Sequence, residues 1–225
     1  MVRNYDKKKY VAVFVVTVII FLLGLSIGFI FDKGKIEELR DINQRQSLDY
    51  VSLQLQYTLL NEFNENISCG ALNAALYQNL LALDRSLKDV INAKEKSIFS
   101  RGRYDIINRQ YLLDNINYFI LSKKAQRLCK MDVVNVLYFF SDDCMSCPAQ
   151  GTVLSYLKNL FGERLLVFPI NVKTLEPLVD ILKSKYGINN LPSVVVGEKT
   201  YEFTEREDLT KLICKEFKNE QEECK

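Results

Sequence analysis

Apolar residues run from Tyr10 to Phe31 (YVAVFVVTVIIFLLGLSIGFIF) without a charge. That is about 22 residues, enough for a helix to cross a hydrocarbon core of roughly 30 Å. A cleavable secretion signal would carry a shorter apolar part, about 7–15 residues. A retained transmembrane helix over 10–31 is therefore expected. Gly24 and Gly28 form a GxxxG pattern that can pair membrane helices, although small residues in an anchor need no such role. Arg3, Lys7, Lys8 and Lys9 cluster before the span, opposed only by Asp6, while Lys33, Lys35, Arg40 and Arg45 follow it more loosely. Long domains are translocated largely regardless of charge. This predicts a cytoplasmic tail over 1–9 and an extracytoplasmic C-terminal part.

From about 35 to 129 the pattern is helical and free of proline. Apolar positions recur at Leu48, Val51, Leu55 and Leu59, then at Leu72, Leu76, Leu80, Leu83 and Leu87, then at Ile107, Tyr111, Ile116 and Ile120. Breaks near Asn64–Gly70 and Ser100–Gly102 divide the region into three helices, about 35–64, 68–98 and 104–129. The first could continue the membrane helix as a stalk, and Ser68 suits the N-cap of the second. In an antiparallel pair, the start of one helix lies beside the end of the next. Cys69 and Cys129 then approach and can bond; the alternative is two unpaired buried thiols, which are common.

At Val133 the texture changes. VVNVLYFF and LLVFPINV are short β-branched and aromatic runs that predict buried strands. Between them, SDDCMSCPAQGTVLSYLKNLFG predicts a turn and an amphipathic helix. TLEPLVDILKSKYG predicts a second helix with Gly187 as its C-cap. SVVVGEKTYEFTE predicts two strands around a turn at Gly197–Lys199, and REDLTKLICKEF a last helix. The fold class is α/β, a β-α-β-α-β-β-α domain over 133–217 with a tail over 218–225. The first crossover implies parallel strands.

Composition narrows the chemistry. The 225 residues hold no histidine, which removes Ser-His-Asp and Cys-His catalysis and histidine-ligated zinc. A formal charge of +2 gives no electrostatic case for nucleic acid. Six cysteines beyond a membrane segment suggest disulfides.

The sharpest motif is Cys144-Met145-Ser146-Cys147, between a hydrophobic strand and an amphipathic helix. This spacing puts both sulfurs on one turn. A helix start leaves backbone N–H groups unpaired and favours a thiolate there, the species that attacks a disulfide. The second thiol can then resolve the mixed disulfide. Asp142 and Asp143 should oppose the helix effect on Cys144, or simply form a solvated loop and cap.

Residues from about 133 to 217 resemble the thioredoxin superfamily in the strand VVNVLYFF, in CMSC followed by Pro148, and in Leu191–Pro192–Ser193 before the third strand. The resemblance implies a solvent-facing nucleophile at Cys144, a more buried resolving thiol at Cys147, and a cis Pro192 that binds substrate backbone together with Leu191. Two positions depart from the family. Tyr138 stands where a buried Asp assists proton transfer, and Pro169 stands where a Lys follows on the next strand. Proline avoids central strands. If its strand is an edge, the sheet has a minimal, glutaredoxin-like set of four strands.

The expected function is a membrane-anchored oxidoreductase acting on protein thiols and disulfides, with no cofactor and with a redox partner in the membrane. A binding or chaperone module on the same fold is the alternative. Cu(I) handling by two thiolates and Met145 is the weakest of the three. Cys214 and Cys224 can pair only if the last helix stops and the tail folds back, because ten further helical residues would span about 15 Å.

Overall fold

The computed structural model describes residues 10–26, 69–95, 101–219 and 221–224. The chain forms two units, Met1–Asn64 and Glu65–Lys225. In the first unit, residues 10–26 form helix α1, with apolar side chains exposed along its length. Among the described residues no helix is long and apolar enough to cross a membrane. The tail over 1–9, the rest of the expected span (27–31), the helix over 35–64 and the Ser68 cap lie outside the described residues.

The second unit begins with two long helices, α2 (Cys69–Glu95) and α3 (Arg101–Leu128). A disulfide joins Cys69 at the start of α2 to Cys129 just past α3, with Cα atoms 5.6 Å apart. The buried face of α2 differs from the expected leucine stripe. Leu72, Leu76, Val90 and Ala93 are buried, whereas Leu80 and Leu87 are exposed. Their place on the buried face is taken by Asn79 and Ser86. The physical reason is partnership. The Asn117 side-chain amide on α3 donates to Asn79 Oδ1, and Ser86 hydrogen-bonds Asp114, whose carboxyl burial pushes upward. Ile120 on α3 is likewise exposed rather than core.

The strands are β1 (Val134–Phe140), β2 (Leu165–Asn171), β3 (Ser193–Val196) and β4 (Lys199–Tyr201). They form one sheet in the order β2-β1-β3-β4. β1 and β2 are parallel, and the other pairs antiparallel. Pro169 falls on the edge strand β2, where a missing N–H breaks no ladder on the outer side. Its carbonyl accepts from the Asn115 side-chain amide on α3 at 2.8 Å.

The helices alternating with the strands are α4 (Cys147–Phe161), α5 (Pro177–Tyr186) and α6 (Arg206–Cys214). Side chains of β1 point alternately to two cores. Leu137 and Phe139 pack with Leu112, Ile116 and Phe119 of α3 and Val179 of α5. Val134, Val136 and Tyr138 pack with Leu154, Leu157 and Phe161 of α4 and Leu209 and Ile213 of α6. Each such fully buried side chain contributes about 1.5–3 kcal/mol. α3 thus covers one face of the sheet. The helices α2 and α3 and the sheet lie within the one unit Glu65–Lys225.

α5 starts at Pro177, whose missing N–H is harmless in a first turn. It ends at Gly187, whose φ of 63° suits glycine and whose N–H closes the cap on Lys183 and Ser184. Gly197 turns β3 into β4 at φ 65°, and a Cβ there would meet the Glu216 carboxylate at 2.6 Å.

The last helix stops at Cys214, and the tail folds back so that Cys214 bonds Cys224. Asp132, just before β1, holds that tail. It accepts the backbone N–H of Lys218 at 2.8 Å, the Asn219 side chain at 2.9 Å and the Gln221 side chain at 3.3 Å. Both of these disulfides therefore sit at the end of the sheet where β1 begins.

Asp132 also makes stability depend on pH. Partial burial pushes its carboxyl up, but the Lys218 and Asn219 donors outweigh that and hold it below the ordinary 3.8. A group depressed in the folded state stabilises fully above its unfolded value and loses that contribution as pH falls through the folded one. Asp132→Asn should therefore flatten the loss of stability below about pH 4, read as urea midpoints at a series of acidic pH values. An unchanged acid profile would show that the tail contributes nothing to it.

Among the described residues two buried side-chain atoms, the Tyr186 hydroxyl and Glu223 Oε2, have no hydrogen-bond partner. The Tyr186 hydroxyl, at the end of α5, makes no hydrogen bond, and burial followed by the nearby Glu198 charge pushes its pKa up to about 12. Tyr186→Phe should stabilise the chain by about 1 kcal/mol, raising Tm by about 2–4 °C. A lower Tm in a thermal melt would mean the hydroxyl has a partner after all.

Candidate dithiol site

β1 ends at Phe140 and releases the loop 141–146 at the C-terminal end of the parallel pair. α4 begins at Cys147, with Ser146 at its N-cap and Pro148 in its first turn. Cys144 therefore lies just before the helix rather than inside it. Its sulfur is bonded to that of Cys147, with Cα atoms 5.4 Å apart. The two halves differ in access: Cys144 is half-buried, while Cys147 is 3% exposed. Met145 between them is 99% exposed.

The register brings the second predicted element to the same place. Ser193 of β3 pairs with Phe139, so Pro192 lies one step on, beside the end of β1. The Leu191–Pro192 bond is cis, Pro192 is buried and Leu191 is half-buried. The other four predicted cysteines, Cys69, Cys129, Cys214 and Cys224, are brought together in two pairs at the opposite end of β1.

The acidic pair beside the motif is engaged rather than free. The Ser141 and Lys173 side chains hold the Asp143 carboxyl below its ordinary value, with Lys173 Nζ at 3.1 Å. Asp142 accepts from the Asn171 side chain at 3.2 Å. These contacts tie the Cys144 loop to the loop after β2, and Lys173 offsets part of the charge expected to disfavour a thiolate. The N-cap of α4 is Ser146, and its side chain makes no capping hydrogen bond.

Two functional contacts were not foreseen from the sequence. Gln150 is fully buried, donates to Thr204 O at 3.3 Å and accepts from Thr204 N at 2.7 Å. It fastens the loop before α6 onto the first turn of α4. Its signal was present: Gln150 is in phase with Cys147, Leu154, Leu157 and Phe161 on the buried stripe, and a polar residue there demands partners. The other contact is Tyr138, whose hydroxyl donates to the Cys147 carbonyl at 2.5 Å. Burial pushes its pKa up to about 12. At neutral pH the phenol keeps its proton and cannot serve as the acid–base relay that a carboxylate would supply.

Among the described residues no group of three or more Cys, Asp or Glu side chains is placed to hold a metal ion. With both sulfurs bonded, the site stores two electrons' worth of oxidising capacity in a bond whose outer sulfur is reachable.

The mixed α/β arrangement with its four-stranded sheet is compatible with a thioredoxin-like fold, and thioredoxin-like proteins are found among its neighbours of solved structure. One is the malaria-parasite thioredoxin-2, described as a component of the parasite's protein secretion machinery; it is 26% identical over 37% of this chain and 82% of its own, with a TM-score of 0.32. Another malarial protein is 26% identical over 37% of this chain and 97% of its own, with a TM-score of 0.33. No protein-family model matches the chain, and no curated protein does either.

Proposed function

We propose that the chain is a membrane-anchored, extracytoplasmic thiol–disulfide oxidoreductase that acts on protein substrates through Cys144 and Cys147. The observation that carries this is the asymmetry of the pair: a reachable Cys144 sulfur bonded to a buried Cys147 sulfur at the head of α4. In the reducing direction, the Cys144 thiolate attacks a substrate disulfide and expels one substrate thiolate. The Cys147 thiolate then attacks the Cys144 sulfur of the mixed disulfide and expels the second. Two electrons move to the substrate and the Cys144–Cys147 bond forms. The reverse sequence oxidises a substrate dithiol. Leu191 and Pro192, beside the end of β1, supply the backbone edge for the substrate chain.

An oxidising compartment is supported by the pairing of all six cysteines. The anchor is supported by the uncharged run over 10–31. A membrane redox partner would return the pair to its starting state after each turnover.

The test is the reduction potential of the pair in the full-length chain in detergent, equilibrated with glutathione buffers and read by mass after alkylation. A value near −120 to −180 mV indicates oxidase or isomerase work, and one near −270 mV a reductant. A folded chain whose Cys144–Cys147 pair does not exchange with glutathione would overturn the redox function in favour of a binding module.

A further inference from the structure

The Cys147–Pro148 peptide unit is unusual in its polarity. Pro148 has no N–H, so this unit presents only the negative end of its dipole, the Cys147 carbonyl oxygen. That oxygen belongs to the residue carrying the buried sulfur. It receives the phenolic O–H of Tyr138 at 2.5 Å. The phenol is aimed rather than free. Its ring stacks on Phe140 with centroids 5.3 Å apart, its backbone is paired on both sides, with Pro169 and with Val194, and its side chain is buried against α4 and α6.

Reduction of the pair adds two electrons and two protons and breaks the S–S bond, and electron density then gathers on a sulfur that water does not reach. The oxygen already takes the helical N–H four residues on, and its remaining negative charge beside that sulfur disfavours the reduced state; a second donor, the Tyr138 hydroxyl, offsets more of it. Resting on the redox function proposed above, we propose that Tyr138 is a positioning residue for the dithiol: its hydrogen bond to the Cys147 carbonyl favours the reduced pair and makes the disulfide a stronger oxidant.

The full-length chain and its Tyr138→Phe variant, equilibrated in the same glutathione buffers at pH 7, test this. Only the difference in this hydrogen bond between the two states moves the equilibrium, so its loss should shift it toward the disulfide by up to about fivefold, the whole worth of one neutral hydrogen bond, or up to about 20 mV at 29.6 mV per tenfold. Tyr138→3-fluorotyrosine, a stronger donor of the same shape, should shift it the other way. A purely structural role would not reverse sign with donor strength. Equal potentials in all three proteins, or a more oxidising Phe variant, would overturn the proposal. If Tyr138→Phe fails to fold, the fluorotyrosine protein decides alone. Should the unmodified chain itself fail to exchange with glutathione, the redox function fails first; exchange with unmoved variants removes only the role of Tyr138.

Discussion

Cys144→Ser is expected to lower disulfide exchange with a reporter peptide by on the order of a thousandfold or more, while the fold survives. The expectation follows from access. Cys144 is the half-buried member of the pair, and Cys147, at 3% exposure, cannot present its sulfur to a polypeptide without unpacking the head of α4. Cys147→Ser should behave differently. It keeps the attacking sulfur and loses the resolving one, so substrate accumulates as a mixed disulfide on Cys144, visible as a mass adduct that a reductant removes. Full activity in the Cys144 variant, with loss only in the Cys147 variant, would reverse the two roles.

Removing the Cys69–Cys129 bridge should cost about 4 kcal/mol, because it closes a loop of 60 residues in the unfolded chain. Against a total stability of about 5–15 kcal/mol, that is a large share. With a urea slope of about 2 kcal/mol per molar, the midpoint of the double Cys→Ser variant should fall by about 2 M. The Cys214–Cys224 bridge, separated by only ten residues, should cost about 3 kcal/mol. The ordering is the diagnostic part. If the short bridge mattered more, the tail held by Asp132 would be contributing native-state contacts beyond loop closure.

The order of strands and helices from Val133 onward, the Gly187 cap and the edge position of Pro169 could be read from local pattern alone. Each rests on an interaction within a few residues: strand-forming side chains, a left-handed glycine, a missing N–H. The meeting of Cys69 and Cys129 was legible because antiparallel geometry fixes which helix ends adjoin. What escaped was long-range partnership. Leu80 and Leu87 match a helical stripe as well as Asn79 and Ser86 do, and only α3, with Asn117 and Asp114, decides which face is buried. The covering of the sheet by α3 was hidden for the same reason. At the site, the dithiol was evident from its spacing, whereas the Tyr138 donor was not. Tyrosine in a strand looks like core, and nothing local shows where its hydroxyl points.

The placement of the three bridges carries a last consequence. An oxidoreductase of the kind proposed would carry within itself the very bonds it attacks. Here β1 stands between them: Cys144 lies in the loop after its last residue, while Cys129 and the tail secured to Asp132 precede or adjoin its first. Seven residues of strand measure about 23 Å, far beyond the reach of one sulfur to another. The Cys144 thiolate is thereby insulated from its own staples. Under the proposed function, turnover at one pole would proceed without scrambling the cross-links at the other.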